Sequence, residues 1–382
     1  MCSSERRPSV RRRLLGRGPV AFLLRLLIFA VIFVGVGEVW FRTVAPACEQ
    51  PLYMQDSQWK IKRADPSGPV QGLFTVGRLT ARGGAWRVNN DGWMSDINYV
   101  SSVQRNRPLV ALLGDSQIEG FFTDADRHVD VYLAEDLNKA VDVYSFAGSG
   151  WDLEQYVAVS RYATGAYSPS VLVIFIGNKD VVDSVRDYGL FSAYLWQIKS
   201  AGDSFTEVGP ASLYTTGRLT RPAKLSAVLN YLLYNAKVTL PGRGGAAIPQ
   251  DLDTAAARSD GAPQSAGGPN LEQLTAAAQY MVDRLLAENA GVPIVFVSNG
   301  DGYMSPAVDS RAALPIDVQA VRAAIKGKSG CYFLDLDSAF ANDWAVKHLE
   351  FVAADKQHWN VHANQVVAAA LAAFIRDHNL VV

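Results

Sequence analysis

The feature that most limits how this chain can fold lies at its N-terminus. Pro19 to Gly37 contains a single charged residue, Arg25. A bilayer core needs about 20 mostly apolar residues in a helix, and Val20 to Trp40 supplies that length. Arg25 sits near one end, where its long side chain can snorkel to the surface, and Trp40 sits where an interfacial aromatic belongs. The first seventeen residues carry six arginines (Arg6, Arg7, Arg11, Arg12, Arg13, Arg17) against one acid, Glu5. Basic residues stay on the cytoplasmic side of a membrane. The expectation is therefore a basic cytoplasmic tail over 1–19, a single-pass anchor over 20–40 and everything later outside the cytoplasmic membrane, periplasmic in a Gram-negative cell. A cleaved signal peptide is the alternative, because Ala45-Pro46-Ala47 loosely resembles a cleavage site, although it lies well beyond the apolar run.

With 382 residues, 49% of them hydrophobic and 19% charged, the rest of the chain suffices for one or two globular domains. A net charge of -1 gives no reason to expect nucleic acid as a partner. Cys2 would be cytoplasmic, whereas Cys48 and Cys331 would share an oxidising compartment, where a disulfide between them is open. No C-x-x-C occurs, so a thiolate metal site has no support.

Residues 41–107, rich in Trp, Gly, Pro and polar residues, read as a membrane-proximal extension with strand-like pieces such as Gly72–Val76. From Pro108 the pattern becomes regular. Short apolar runs at Leu109–Leu113, Val141–Ser145, Val171–Ile176, Pro293–Val297 and Cys331–Leu336 predict five strands. Helical spacing predicts helices over Val129–Lys139, Leu153–Thr164, Leu271–Asn289, Ile316–Lys326 and Val361–Asp377. Strands alternating with helices argue for a parallel sheet covered on both faces, in which ligands bind beyond the carboxyl ends of the strands. Between 184 and 270 the alternation breaks. Leu190–Ser200 and Ala223–Lys237 are helix candidates, and Pro241–Asn270 reads as a loop, so the stretch is expected to be an insertion in one domain spanning 108–382.

Four short stretches could carry chemistry. Gly114-Asp115-Ser116-Gln117 follows the first strand, so Ser116 would sit at a strand-to-helix turn with its own N–H facing a developing oxyanion. Asp355-Lys356-Gln357-His358 precedes the last helix. A serine hydroxyl needs a base to take its proton, and that base works best when a carboxylate fixes its tautomer. Ser145–Trp151, containing Gly148 and Gly150, follows the second strand, and Gly177-Asn178-Lys179-Asp180 follows the third. Glycine amides and a neutral Asn side chain both suit an oxyanion. Taken singly, each stretch also reads as an ordinary turn or helix cap.

In this order the stretches form a pattern that resembles the SGNH/GDSL hydrolases, over roughly residues 107–377. The resemblance implies a three-layer α/β/α, flavodoxin-like fold with a parallel five-stranded sheet. It implies Ser116 as nucleophile and first oxyanion amide, Gly150 and Asn178 as further oxyanion donors, and Asp355 and His358 as the catalytic pair. No metal or cofactor is implied. With the N-terminal anchor, Trp86-Arg-Val-Asn-Asn-Asp-Gly92 resembles membrane-tethered members linked to acylation of exported polysaccharides. The expected activity is ester hydrolysis or O-acyl transfer, through an acyl-enzyme, on acyl (acetyl) groups of a cell-surface or exported glycan, with export machinery as a partner. The sequence departs from the family pattern in four places: GDSQ stands for GDSL, a minor change on its face; Ser145 stands for the usual Asn; Lys179 stands where Asp normally follows Asn178; and Ala363-Asn364 stand where Gly-His is frequent after His358-Trp-Asn.

Two other readings stay open. His358 and His362, four apart with Asp355 nearby, could face one metal ion, although the Glu of H-E-x-x-H is missing. Alternatively, the domain is a degenerate relative that binds glycan or scaffolds an export complex; Lys179 speaks for it, and the intact Ser, Asp and His speak against it.

Overall fold

The computed structural model describes residues 18–189, 192–202, 204–216, 220–238, 268–299 and 314–381. Among them, five strands form one parallel sheet: β1 Leu109–Gly114, β2 Asp142–Ala147, β3 Val171–Ile176, β4 Ile294–Ser298 and β5 Cys331–Asp335. All five were predicted, to within two residues at each end. Their spatial order is β5-β4-β3-β1-β2, the flavodoxin-like order.

Successive strand residues point to opposite faces of a sheet, and the core divides accordingly. Leu109, Ala111, Leu113, Leu172, Ile174 and Phe296 pack with the helices Leu153–Tyr167, Leu271–Glu288 and Ile316–Ile325. Val110, Leu112, Val171, Val173, Phe175 and Val297 pack with Val129–Asp136, Asp337–Lys347 and Val361–Asp377. Both sheet faces are dry, which is why β1 and β3 read as unbroken apolar runs rather than alternating ones. The chain runs from β1 outward to β2, then crosses back to β3 on β1's other side. The switch point therefore lies between the carboxyl ends of β1 and β3, where such folds bind their ligands.

Part of the 41–107 stretch packs into this core, and part forms a small cluster of its own. Ile61, Trp93 and Tyr99 belong to the first cluster, with Trp93 edge-on to Phe146 and Trp151. Tyr99 stacks on Tyr144 at 4.0 Å. Its hydroxyl accepts from the Ser145 N–H and donates to the Ser145 carbonyl, both at 2.8 Å. Because β2 is an edge strand, this satisfies backbone groups that would otherwise invite another chain. The Trp86–Gly92 stretch is a clamp. Asn89 Oδ1 accepts from the N–H groups of Asp91 and Trp93, and the Asp91 carboxylate takes Arg63, the Trp93 indole and the hydroxyls of Tyr162 and Tyr167.

The region after 184 departs from expectation. Of the helix predicted over Leu190–Ser200, the described residues from 192 on form none; Gln197–Ala201 is a strand paired antiparallel with Ser204–Val208. Gly202, at φ +63, allows the tight turn between them, and Glu207 is held by Arg161 and Arg284 on the neighbouring helices. Over Ala223–Lys237 the single predicted helix is broken. A turn of helix at Ala227–Asn230 runs into a wider turn in which the Ala236 N–H reaches the Tyr231 carbonyl, an i to i+5 bond of 2.8 Å. Most of the loop predicted over 241–270 lies outside the described residues.

Pro19–Thr43 is one helix with no buried residue. Its 25 residues span about 38 Å at 1.5 Å each, against a hydrocarbon core of about 30 Å. It has the length and composition of a signal anchor or single-pass span. Cys48 lies in a small cluster with Trp86 and Phe121, while Cys331 lies on edge strand β5. Both carry free thiols, so the open disulfide is not formed.

Candidate active site

β1 ends at Gly114, and Asp115 caps the short helix Ser116–Glu119 by accepting the Gln117 N–H at 2.9 Å. This turn presents Ser116 at the switch point. The partner loop precedes the last helix. There Lys356 takes a left-handed φ of +65, uncommon for a residue other than Gly or Asn. The turn curls Asp355 back so that Oδ1 accepts from the N–H groups of Gln357 (3.2 Å) and His358 (3.1 Å). Its other oxygen, Oδ2, meets His358 Nδ1 at 2.5 Å. The Ser116 hydroxyl lies 2.8 Å from His358 Nε2.

A carboxylate on Nδ1 fixes the proton there, leaving the Nε2 lone pair for the serine hydroxyl. Burial alone would raise the Asp355 carboxyl; the His358 imidazole and the two backbone N–H groups outweigh it and hold the group below its usual range. Phe122 stacks flat on the imidazole, 3.8 Å between centroids and 9° between planes. Ser116, Asp355 and His358, 242 residues apart at their extremes, are thus brought together.

Gly150 and Asn178 occupy the neighbouring strand ends. Gly150 lies half-buried at φ +73 in the turn after β2. This turn is tied to the Ser116 segment: the Gly148 N–H reaches the Gly114 carbonyl at 3.2 Å, and the buried Glu119 carboxylate accepts the Ser149 N–H at 2.7 Å and the Ser149 hydroxyl. At Gly148 a side chain would run into the Trp151 ring at 2.4 Å. Asn178 and Lys179 are exposed, with Lys179 at φ +76. The acid expected directly after Asn178 stands one place later: Asp180 is buried and accepts the Gly177 N–H at 2.9 Å. Burial, with Asp115 and Asp152 close by, pushes its carboxyl well above the usual range.

Three contributors escaped the sequence reading. Gln117, a minor departure by motif, bridges the two halves of the site: its Oε1 accepts the Trp359 N–H at 2.9 Å and its Nε2 donates to the Gln357 carbonyl at 3.3 Å. Glu119 and Phe122 are the others. Only the polar residue in the leucine's usual place was a signal.

His362 is engaged elsewhere, its Nε2 2.6 Å from Asp343 Oδ2 and its ring stacked on Phe351. With both His358 nitrogens taken by Ser116 and Asp355, the two imidazoles do not face a common point.

Fold and site together define a doubly wound α/β domain with a serine–histidine–aspartate constellation at its switch point. No protein-family model matches the chain, and no curated protein matches it in sequence. Solved structures of similar fold include the salicylyl-acyltransferase SsfX3 from a tetracycline biosynthetic pathway, at 10% identity and TM-score 0.38, covering 72% of this chain and 57% of that one. This chain thus spans little more than half of that acyltransferase. Two others are a carbohydrate esterase family 2 enzyme of Corynascus thermopiles (12%, TM-score 0.35, 75% and 69% covered) and the acetyl xylan esterase Est2A of Butyrivibrio proteoclasticus (11%, TM-score 0.35, 78% and 72% covered). Likeness at this level concerns the course of the chain and carries nothing about activity.

Proposed function

We propose that the chain is a serine-dependent ester hydrolase or O-acyltransferase of the SGNH/GDSL type. The observation that carries this reading is the pair of contacts at His358, with the serine hydroxyl on Nε2 and the Asp355 carboxylate on Nδ1. His358 Nε2 takes the Ser116 proton as Oγ attacks the carbonyl carbon of an ester. The amides of Ser116 and Gly150 and the Asn178 side chain receive the oxyanion. As the tetrahedral intermediate collapses, the imidazolium returns its proton to the departing alcohol, leaving Ser116 acylated. Water or a second hydroxyl, deprotonated by His358, then takes the acyl group.

The anchor and the arginine-rich tail support a position outside the cytoplasmic membrane, where acyl groups on a cell-surface or exported glycan are the substrates and export machinery a partner. The exposed Asn178–Lys179 turn favours a second reading, a degenerate glycan-binding scaffold. One experiment separates them: labelling of the full chain with a fluorophosphonate and hydrolysis of p-nitrophenyl acetate, each compared with Ser116→Ala. The enzyme reading expects a label mapped to Ser116 and a loss of roughly 10⁴-fold or more in turnover in the variant. No label and equal rates would leave the scaffold.

A further inference from the structure

We propose that the segment Leu225–Val238 and the hairpin tip at Leu79 lie in the interfacial layer of the membrane and seat the catalytic domain on the bilayer. The proposal rests on the reading of Pro19–Thr43 as an anchor, and the anchor supplies the ruler. If the span begins near Val20, about 20 residues bring it to the far surface, which places Gly37 to Arg42 at the boundary. The segment packs sideways against these turns. Glu38 accepts the N–H groups of Ala227 (2.9 Å) and Val228 (3.3 Å) and the Ser226 hydroxyl. Arg42 donates to the Leu225 carbonyl at 2.6 Å. Phe41 stacks on Tyr231 at 4.0 Å and 19°. A side chain at Gly37 would meet Val228 at 2.8 Å. What lies beside that height of the helix lies at the same depth.

The surface offered there is that of an interfacial element. Leu225, Leu229 and Leu232 recur at i, i+4 and i+7, and all are exposed, Leu225 by 67%. Residues 220–238 contain no acid and three bases, Arg221, Lys224 and Lys237; Arg221 pairs with Asp65 at 2.8 Å and Lys224 donates to the Pro51 carbonyl at 2.6 Å, and the segment as a whole keeps a basic character suited to anionic headgroups. The hairpin tip joins the same platform. Tyr231 donates to the Arg78 carbonyl at 3.2 Å, and Asn235 donates to the Gly77 carbonyl at 3.0 Å while accepting the Cys48 N–H at 2.7 Å. This tip carries Leu79, 94% exposed, beside Arg78. In water, four exposed leucines on hydrogen-bonded supports gain nothing; at a headgroup–acyl boundary each buries apolar area. The platform also touches the site. Tyr234 and Phe122 pack on one small cluster, and Phe122 lies on the His358 ring, so the catalytic serine is held close to the membrane surface.

The test uses the full chain in nanodiscs of equal parts phosphatidylcholine and phosphatidylglycerol, with Cys2→Ser and Cys331→Ser; the buried Cys48 stays. A nitrobenzoxadiazole label is placed in turn at Leu229→Cys, Leu79→Cys, Ile28→Cys and Val346→Cys, and its quenching by acyl-chain-brominated phosphatidylcholine is measured. Emission at positions 229 and 79 is expected to fall by about half or more, as for groups roughly 5–10 Å into the boundary. Position 28 is quenched too, and position 346, on a helix remote from the platform, is not. Quenching at 28 without quenching at 229 and 79 overturns the proposal and leaves the anchor standing. Absence of quenching at 28 overturns the anchor reading and the proposal with it.

Discussion

Gln117 shows how one side chain can decide whether a serine and a histidine 242 residues apart meet. Replacing it with leucine, the residue the motif prefers, strands the Trp359 N–H and frees the Gln357 carbonyl. An unmet buried donor costs about 1–3 kcal/mol, and here the cost falls on the turn that aims His358. Gln117→Leu should lower kcat by about 10- to 100-fold with KM little changed, in steady-state hydrolysis of a small ester. An unchanged kcat would show that the loop holds its register without the bridge. Asp130 offers a test by pH. It is buried, its Oδ1 has no hydrogen-bond partner among the described residues, and burial, reinforced by Asp96, pushes its carboxyl up to about 7. In the unfolded chain it ionises near the ordinary value, about 3.9. Between these values the folded state alone keeps the proton, so this group's contribution is present below about pH 4 and is lost as pH rises through about 7. Asp130→Asn should match the wild type in denaturant titrations near pH 4 and exceed it at pH 8, by up to about 4 kcal/mol. The Ser116–Asp355–His358 set was legible because each half is a local motif beside a strand or helix end. Gln117, Glu119 and Phe122 were not, because what they do depends on partners 30 to 242 residues away that no local pattern reveals.

Among elements, the hairpin Gln71–Val76 with Ala81–Arg87 has the closest bearing on the site. Its second strand presses on the backbone that follows the Ser116–Glu119 helix. A side chain at Gly84 would lie 1.8 Å from the Thr123 carbonyl oxygen, and one at Gly83 would lie 3.0 Å from the Phe74 carbonyl and 3.3 Å from that of Phe121. Backbone on both sides leaves no soft direction. Gly84→Ala should therefore cost about 1–3 kcal/mol and lower kcat as Phe122 shifts on the imidazole. Gly77→Ala is the contrast: at φ +66 with open space around it, it should cost about 1 kcal/mol and leave kcat alone. Thermal denaturation with the same ester assay checks both, and equal kcat losses would mean that the hairpin does not act through contact. The five strands were legible because apolar runs buried on both faces have no other use in a chain of ordinary composition. The Gln197–Ala201 strand was not: it fell inside the helix candidate Leu190–Ser200, and what makes a hairpin there is a turn at Gly202 and the long-range grip of Arg161 and Arg284 on Glu207.

For the whole molecule, if Pro19–Thr43 spans a membrane as proposed, the side on which the domain stands is expected to follow from the charge flanking that helix. On the tail side six arginines oppose one glutamate within seventeen residues; on the other side Arg42 is already paired with Glu38, and the next bases, Lys60 and Lys62, lie well beyond the helix end. Orientation depends on the excess of Lys and Arg close to the span, so the tail should stay inside with little competition. A periplasmic-reporter fusion at the C-terminus should be active, and a cytoplasmic reporter there should be silent. Exchanging Arg11, Arg12, Arg13 and Arg17 for glutamine removes most of the bias and should yield a mixed population, seen as protease-protected domain in intact spheroplasts. Full activity of the cytoplasmic reporter on the unaltered chain would put the site on the wrong side for any exported glycan, whatever the geometry around Ser116. The proposed ester chemistry could then still hold, but the substrate reading, which rests on location, would fall.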